Sequence, residues 1–183
     1  MSEIVTERLI LRDMERSDAL DLLSLYSDRQ VMFGQSVAEP LDTADDVLAL
    51  IDCETAHQRA DLPGVKVIER KCDESVIGVI SVNETVDNTV DIAYYLKKNV
   101  WHHGYMSEAL KAYCDDVFHH FDIHLITAQY RCDNVKSASV LTACGFHRIN
   151  ESKQMLMNDY KLHDTFIAGL NFEDFKKVSQ GIK

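Results

Sequence analysis

Apolar positions along this chain change their period several times, and each change marks an element. In Thr6-Glu-Arg-Leu-Ile-Leu-Arg12 the apolar Leu9, Ile10 and Leu11 lie between charged ends, which predicts a first strand. Ser17 then caps a predicted helix whose inner face is Leu20, Leu23 and Tyr26. Residues 34–40 break the pattern, and Thr43 or Asp42 starts a second helix through Val47, Leu48 and Ile51 toward Ala60. A turn at Pro63-Gly64 leads into three β-branched runs, at 65–69, 76–82 and 90–96, separated by polar turns at 71–74 and 84–88. Connections this short favour antiparallel hairpins, because a parallel crossover needs a dozen residues or more.

From Asp91 onward the pattern changes character. The strand Asp91-Ile-Ala-Tyr-Tyr-Leu96 runs into Trp101-His-His-Gly-Tyr-Met106, which opens a helix with one apolar stripe: Met106, Leu110, Tyr113 or Cys114, Val117 and Phe121. A helix entered through a tight turn at Gly104 aims unpaired backbone N–H groups, and the positive end of its dipole, at whatever lies in front of it. The natural occupant is a phosphate. The strand His124-Leu-Ile-Thr-Ala-Gln-Tyr-Arg131 follows, so strand, helix and strand form a β-α-β unit with parallel strands. Asn134-Val-Lys-Ser137 opens a short helix that stops at Gly145-Phe146, so two helix N-termini flank one cleft. Two more strands, at 145–149 and 160–170, and a terminal helix at 171–178 complete one mixed α/β (α+β) domain spanning residues 1–183.

Composition narrows the function classes. With 30 acidic against 19 basic residues the formal net charge is −11, which argues against a general nucleic-acid binder and suits a cationic substrate. No apolar run approaches the roughly 20 residues of a membrane-spanning helix, and the first residues carry charge at Glu3, Glu7 and Arg8 instead of a signal-peptide pattern. A cytoplasmic protein is expected. Five cysteines without a C-x-x-C pair speak against a disulfide framework. Eight histidines include His102-His103 and His119-His120, but no spacing matches a structural zinc pattern, and no metal is expected.

The order strand, W-x-x-G-Y-x-S-E-A from Trp101 to Ala109, amphipathic helix, strand, N-x-x-S at Asn134–Ser137, and a short helix ending in Gly145-Phe146 resembles the GCN5-related N-acetyltransferases. It is most similar to their RimJ/RimL-type branch, which acetylates ribosomal-protein N-termini and also carries T-E-R-L-I-L-R like that of residues 6–12. The resemblance implies a mixed sheet of about seven strands, flanked by helices, whose two parallel strands splay apart at an acetyl-CoA site. It places the pyrophosphate on backbone N–H groups of His102, His103, Gly104, Tyr105 and Met106 with the Ser107 hydroxyl. The pantetheine arm pairs with the strand of Ile92, Tyr94 and Leu96, and Asn134 bonds it. The sequence departs from the family at His102-His103, where Gly-Lys is usual, at Met106, and at Ala93 and Tyr95. Met106 has to turn into the core stripe to leave room for phosphate. His103 either faces a phosphate as imidazolium or lies in a solvated loop.

Amide formation by attack on a thioester needs a neutral amine, help in shedding its proton and a donor for the departing thiolate. Asp91 stands where this branch often has Glu, and is either that base, acting through a water, or a strand-end ion-pair partner. Ser137 either holds the sulfur or bonds local backbone in the first helical turn. Tyr94, Tyr95 and Tyr130 are reserve donors, Glu108 compensates the helix dipole, and Cys132 lacks a partner that would make it nucleophilic. An α-amine has a pKa of about 8 and a lysine or polyamine amine about 10.4, so the neutral form of the latter costs about 3 kcal/mol more at pH 7. That favours a peptide or protein N-terminus as acceptor over a polyamine or aminoglycoside. A non-catalytic acyl-CoA-binding module, with His102, His103 and Met106 marking a decayed site, and a structural interaction domain are the rival readings. The acceptor's identity and the oligomeric state, a homodimer included, are open in the sequence.

Overall fold

The structure is a computed structural model and describes residues 3–32, 41–150, 153–157 and 160–180. Residues 34–40, where the sequence predicts a break, lie outside that set. Among the described residues nine strands form one sheet: β1 (Ile4–Val5), β2 (Leu9–Arg12), β3 (Lys66–Arg70), β4 (Ser75–Val86), β5 (Thr89–Leu96), β6 (Leu125–Arg131), β7 (His147–Arg148), β8 (Lys153–Leu156) and β9 (Leu162–Asn171). The order is β1-β2-β3-β4-β5-β6-β9-β7, with β8 also on β9. Every pair is antiparallel except β5 with β6. Nine strands exceed the expected seven or so because β1, at two residues, and the polar β8 are too short to show a period.

Among the described residues five α-helices cover the two faces: α1 (Ala19–Tyr26), α2 (Ala44–His57), α3 (Tyr105–His120), α4 (Val135–Ala143) and α5 (Phe172–Ser179). Alternation along the strands divides the core accordingly. Ile68, Ile80, Ile92 and Ile126 pack with Leu110, Val117, Leu141 and Phe175 on the face of α3, α4 and α5. Val67, Val79 and Tyr95 pack with Leu22, Leu25, Val47 and Ile51 on the face of α1 and α2.

The expected α1 is rotated. Its buried residues are Ala19, Leu22, Leu25 and Tyr26, whereas Leu20 is 74% exposed. Leucines at 20, 22, 23 and 25 satisfy helical spacing on either face, and the phase is set by a 3₁₀ turn, Arg16–Asp18, that precedes the helix. Asp18, not Ser17, holds the N-cap position of α1, but its side chain makes no capping bond to that helix; it accepts from the backbone N–H of Glu15 and from both terminal nitrogens of Arg12, which fixes the 3₁₀ turn. The α2 cap is as expected: Thr43 accepts from the Asp46 N–H, and Asp46 answers to the Thr43 N–H.

The β4–β5 connection is the two-residue turn Asp87-Asn88, both at positive φ, so β4 runs on to Val86 beyond its expected end. A bulge between Val82 and Glu84 frees Asn83 from the ladder opposite Asp91 and Ile92. The parallel ladder runs only from Thr89↔Leu125 to Ile92↔Ala128. Beyond it β5 stays with β4 while β6 stays with β9, so the two strands part after Ile92.

Candidate active site

A cleft of about 740 Å³ opens where β5 and β6 separate. Both helix starts border it: Trp101, His102, Gly104, Tyr105, Met106 and Ser107 on one side, Asn134, Lys136 and Ser137 on the other, with Tyr94, Tyr95 and Leu96 between. Of the residues singled out in the sequence, Tyr94, Leu96, His102, Gly104, Tyr105, Met106, Ser107, Asn134 and Ser137 line this cleft. Asp91, Ile92 and His103 do not.

The first wall is built for a bulky anion. Gly104 caps α3 at φ +77°, a left-handed conformation that an L side chain adopts only with strain, and the first intrahelical bond is Glu108 N–H to Gly104 C=O. The N–H groups of Tyr105, Met106 and Ser107 therefore have no helical acceptor. Met106 is buried in the core beneath them, which leaves the space above the turn open. His102 also sits at positive φ, +65°, at the position where the family usually has Gly; the backbone shape persists with a residue less suited to it. His103 is turned away: its Nδ1 lies 2.7 Å from the Trp101 carbonyl oxygen, and its ring stacks on Tyr105.

Behind this wall stands the N-terminal segment. Glu108 accepts from the Thr6 hydroxyl at 2.6 Å, from the Arg8 N–H at 2.9 Å and from Arg8 Nε at 2.6 Å. Arg8 also donates to the His103 carbonyl oxygen and covers the Tyr105 ring. Burial works against the Glu108 charge, but the bonds from Thr6 and Arg8 outweigh it and hold the carboxyl below its ordinary value. Glu108 thus anchors the N-terminal strand to the first turn of α3, a role beyond dipole compensation.

The second wall begins with Asn134, whose Oδ1 accepts from the Ser137 N–H and caps α4, leaving its amide NH₂ for the cleft. Gly145, at φ +92°, ends that helix, and the following Phe146 N–H returns to the Leu141 carbonyl. Ser137 Oγ meets the Tyr94 hydroxyl at 2.7 Å. Burial pushes the Tyr94 phenol well above its ordinary value, so it stays protonated. When Tyr94 donates to Ser137 Oγ, the Ser137 proton is left for the cleft. Motif spacing pointed to Ser137; Tyr94 was named as a reserve donor on β5, but nothing in the sequence signalled its pairing with Ser137.

Asp91 stands apart, half-buried in the paired part of β5. Its two oxygens accept from Thr127 Oγ1 at 2.7 Å and from Asn83 Nδ2 at 2.8 Å. Asn83 itself borders a smaller hollow of about 270 Å³ on the α2 side. The one carboxylate among the described residues lining the main cleft is Asp133, and Arg131 holds both its oxygens, at 2.8 and 2.5 Å. Cys132 is exposed, and Cys144 is buried with its thiol pushed up to about 12 by desolvation. No group of three or more His, Cys, Asp or Glu among the described residues is arranged to hold a metal ion. No helix among them is long and apolar enough to cross a membrane.

The arrangement can seat a phosphorylated carrier on N–H groups, pair an extended arm with the free edge of β5, and offer a hydroxyl at the strand fork. Comparisons with known proteins give the family. The chain is 29% identical over 165 residues, 88% of each protein, to an uncharacterized N-acetyltransferase, p20, of Bacillus licheniformis. Its fold matches that of RimL, a ribosomal L7/L12 alpha-N-protein acetyltransferase solved with coenzyme A, at TM-score 0.83 and 21% identity, covering 94% of this chain and 99% of that one. It also matches a ribosomal-protein-S5-alanine acetyltransferase of Vibrio fischeri at TM-score 0.82 and 19% identity, covering 96% and 99%. Residues 8–147 match the acetyltransferase (GNAT) domain, and the chain belongs to that family of acetyl-CoA-dependent N-acetyltransferases.

Proposed function

We propose that the enzyme acetylates the α-amino group of a peptide or protein by direct attack on acetyl-CoA. The cosubstrate supplies an activated thioester. The N–H groups of Tyr105, Met106 and Ser107 hold its phosphates, the parted edge of β5 from Ala93 to Leu96 pairs with its arm, and Asn134 bonds that arm from across the cleft. Ser137, oriented by Tyr94, donates to the departing sulfur. A serine hydroxyl and a phenol raised by burial are both weaker acids than a thiol, so the pair steadies the departing thiolate by hydrogen bonding, and the proton the sulfur takes up is the one the amine sheds.

The observation that carries the choice of acceptor is the lack of a free carboxylate among the described lining residues. Asp133 is bound by Arg131, and Asp91 lies outside the cleft lining with both oxygens already engaged. A site with so little basic help suits an amine that is partly neutral by itself, and an α-amine, with a pKa of about 8, meets that condition where a side-chain amine near 10.4 does not. The likeness to acetyltransferases named for ribosomal proteins supports the same reading. Turnover with acetyl-CoA against N-terminal peptides, spermidine and an aminoglycoside tests it. Peptides are expected to give the highest kcat/KM; inert peptides beside an acetylated polyamine or aminoglycoside would overturn the acceptor and keep the transferase.

A further inference from the structure

Coenzyme A carries several negative charges, and this protein has a net charge of −11, so the field of the whole chain opposes its own cosubstrate. A local cation has to offset that. Among the described residues lining the cleft the candidates are His102, Arg131 and Lys136. Arg131 is bound on two nitrogens by Asp133, and an imidazole is charged only when protonated. Lys136 is exposed, has no ion pair among the described residues, and rests its ammonium 4.0 Å from the centre of the Trp101 ring.

That contact joins the two walls of the cleft. Trp101 opens the phosphate turn, and Lys136 is the second residue of α4 on the opposite wall. The indole is fixed from behind, its Nε1 donating to the Leu96 carbonyl oxygen at 2.8 Å, so the lysine is the movable partner. Trp101 is partly buried against the core, and a cation resting on such a ring is held more weakly than a cation bonded to phosphate. The ammonium can therefore exchange one for the other.

We propose that Lys136 binds a phosphate group of coenzyme A and leaves the Trp101 ring to do so; the proposal rests on acetyl-CoA binding in this cleft. Trp101 is the chain's only tryptophan, so its fluorescence reports the exchange directly. The test is titration of the parent, Lys136→Ala and Lys136→Arg with coenzyme A, dephospho-coenzyme A and pantetheine, followed by calorimetry and by that fluorescence. Lys136→Ala is expected to weaken coenzyme A at least about tenfold, the loss of one charge-assisted hydrogen bond, while Lys136→Arg restores it. Pantetheine, which has no phosphate, should bind all three proteins alike. An equal loss with dephospho-coenzyme A assigns the lysine to the pyrophosphate, and a loss confined to coenzyme A assigns it to the 3′-phosphate. Unchanged affinity of Lys136→Ala for coenzyme A, or an equal loss for pantetheine, overturns the proposal alone. A folded parent that binds no coenzyme A overturns it together with the cleft assignment beneath it.

Discussion

Tyr94 and Ser137 lie 43 positions apart and meet at 2.7 Å, one from β5 and one from the first turn of α4. If that pair serves the leaving group, Ser137→Ala should lower kcat by about 10²-fold or more, the scale for losing one donor aimed at developing negative charge. Tyr94→Phe should lower it less, with KM for acetyl-CoA little changed in either variant. Steady-state kinetics decide, and undiminished kcat in both would move the leaving-group role to water. Ser137 was legible in the sequence because N-x-x-S fixes a helix cap whose third residue faces the same way as the cap. Tyr94 was legible as a strand position and a reserve donor, but its pairing with Ser137 was not, since that partner is set by how far β5 and β6 part. Asp91 shows the opposite case: its place at the head of the strand was readable, but the bulge that swings Asn83 onto it was not.

At the scale of elements, the joint between the N-terminal segment and α3 carries a stability prediction. The Glu108 carboxyl has a lowered pKa in the folded protein, so its contribution is present above the unfolded value and is lost as pH falls through the folded one. Glu108→Gln should therefore destabilise at pH 7 by about 1–2 kcal/mol, toward the lower end for bonds to a charged group because Arg8 is partly exposed. The deficit should shrink as pH drops below about 4, the ordinary range of Glu. Denaturant unfolding at pH 7 and below pH 4 measures it; an equal deficit at both would mean that the charge is not what matters. The motif of residues 6–12 was visible from the sequence, but its partner lies about a hundred residues away and no local pattern links them. The α3 stripe and the α4 boundaries were legible because period, cap and terminal Gly agree there, whereas in α1 four leucines fit either face.

For the whole molecule, the two core layers share a single sheet, which supports the proposal that residues 1–183 act as one domain. Unfolding followed by tryptophan fluorescence and by circular dichroism should then trace one coincident transition; two separated midpoints would contradict it. The acidic surface, opposed to the cosubstrate, favours a cationic amine on approach. Acetyl-CoA use and acceptor choice meet in one assay: a peptide with a free N-terminus and one internal lysine, incubated with acetyl-CoA from pH 6 to 9, with the acetylated position read by mass spectrometry. The account predicts acetyl on the α-nitrogen, at a rate that rises to about pH 8 and then levels as the amine becomes neutral. Acetyl on the lysine alone, or a rate still climbing tenfold per pH unit at pH 9, would contradict it.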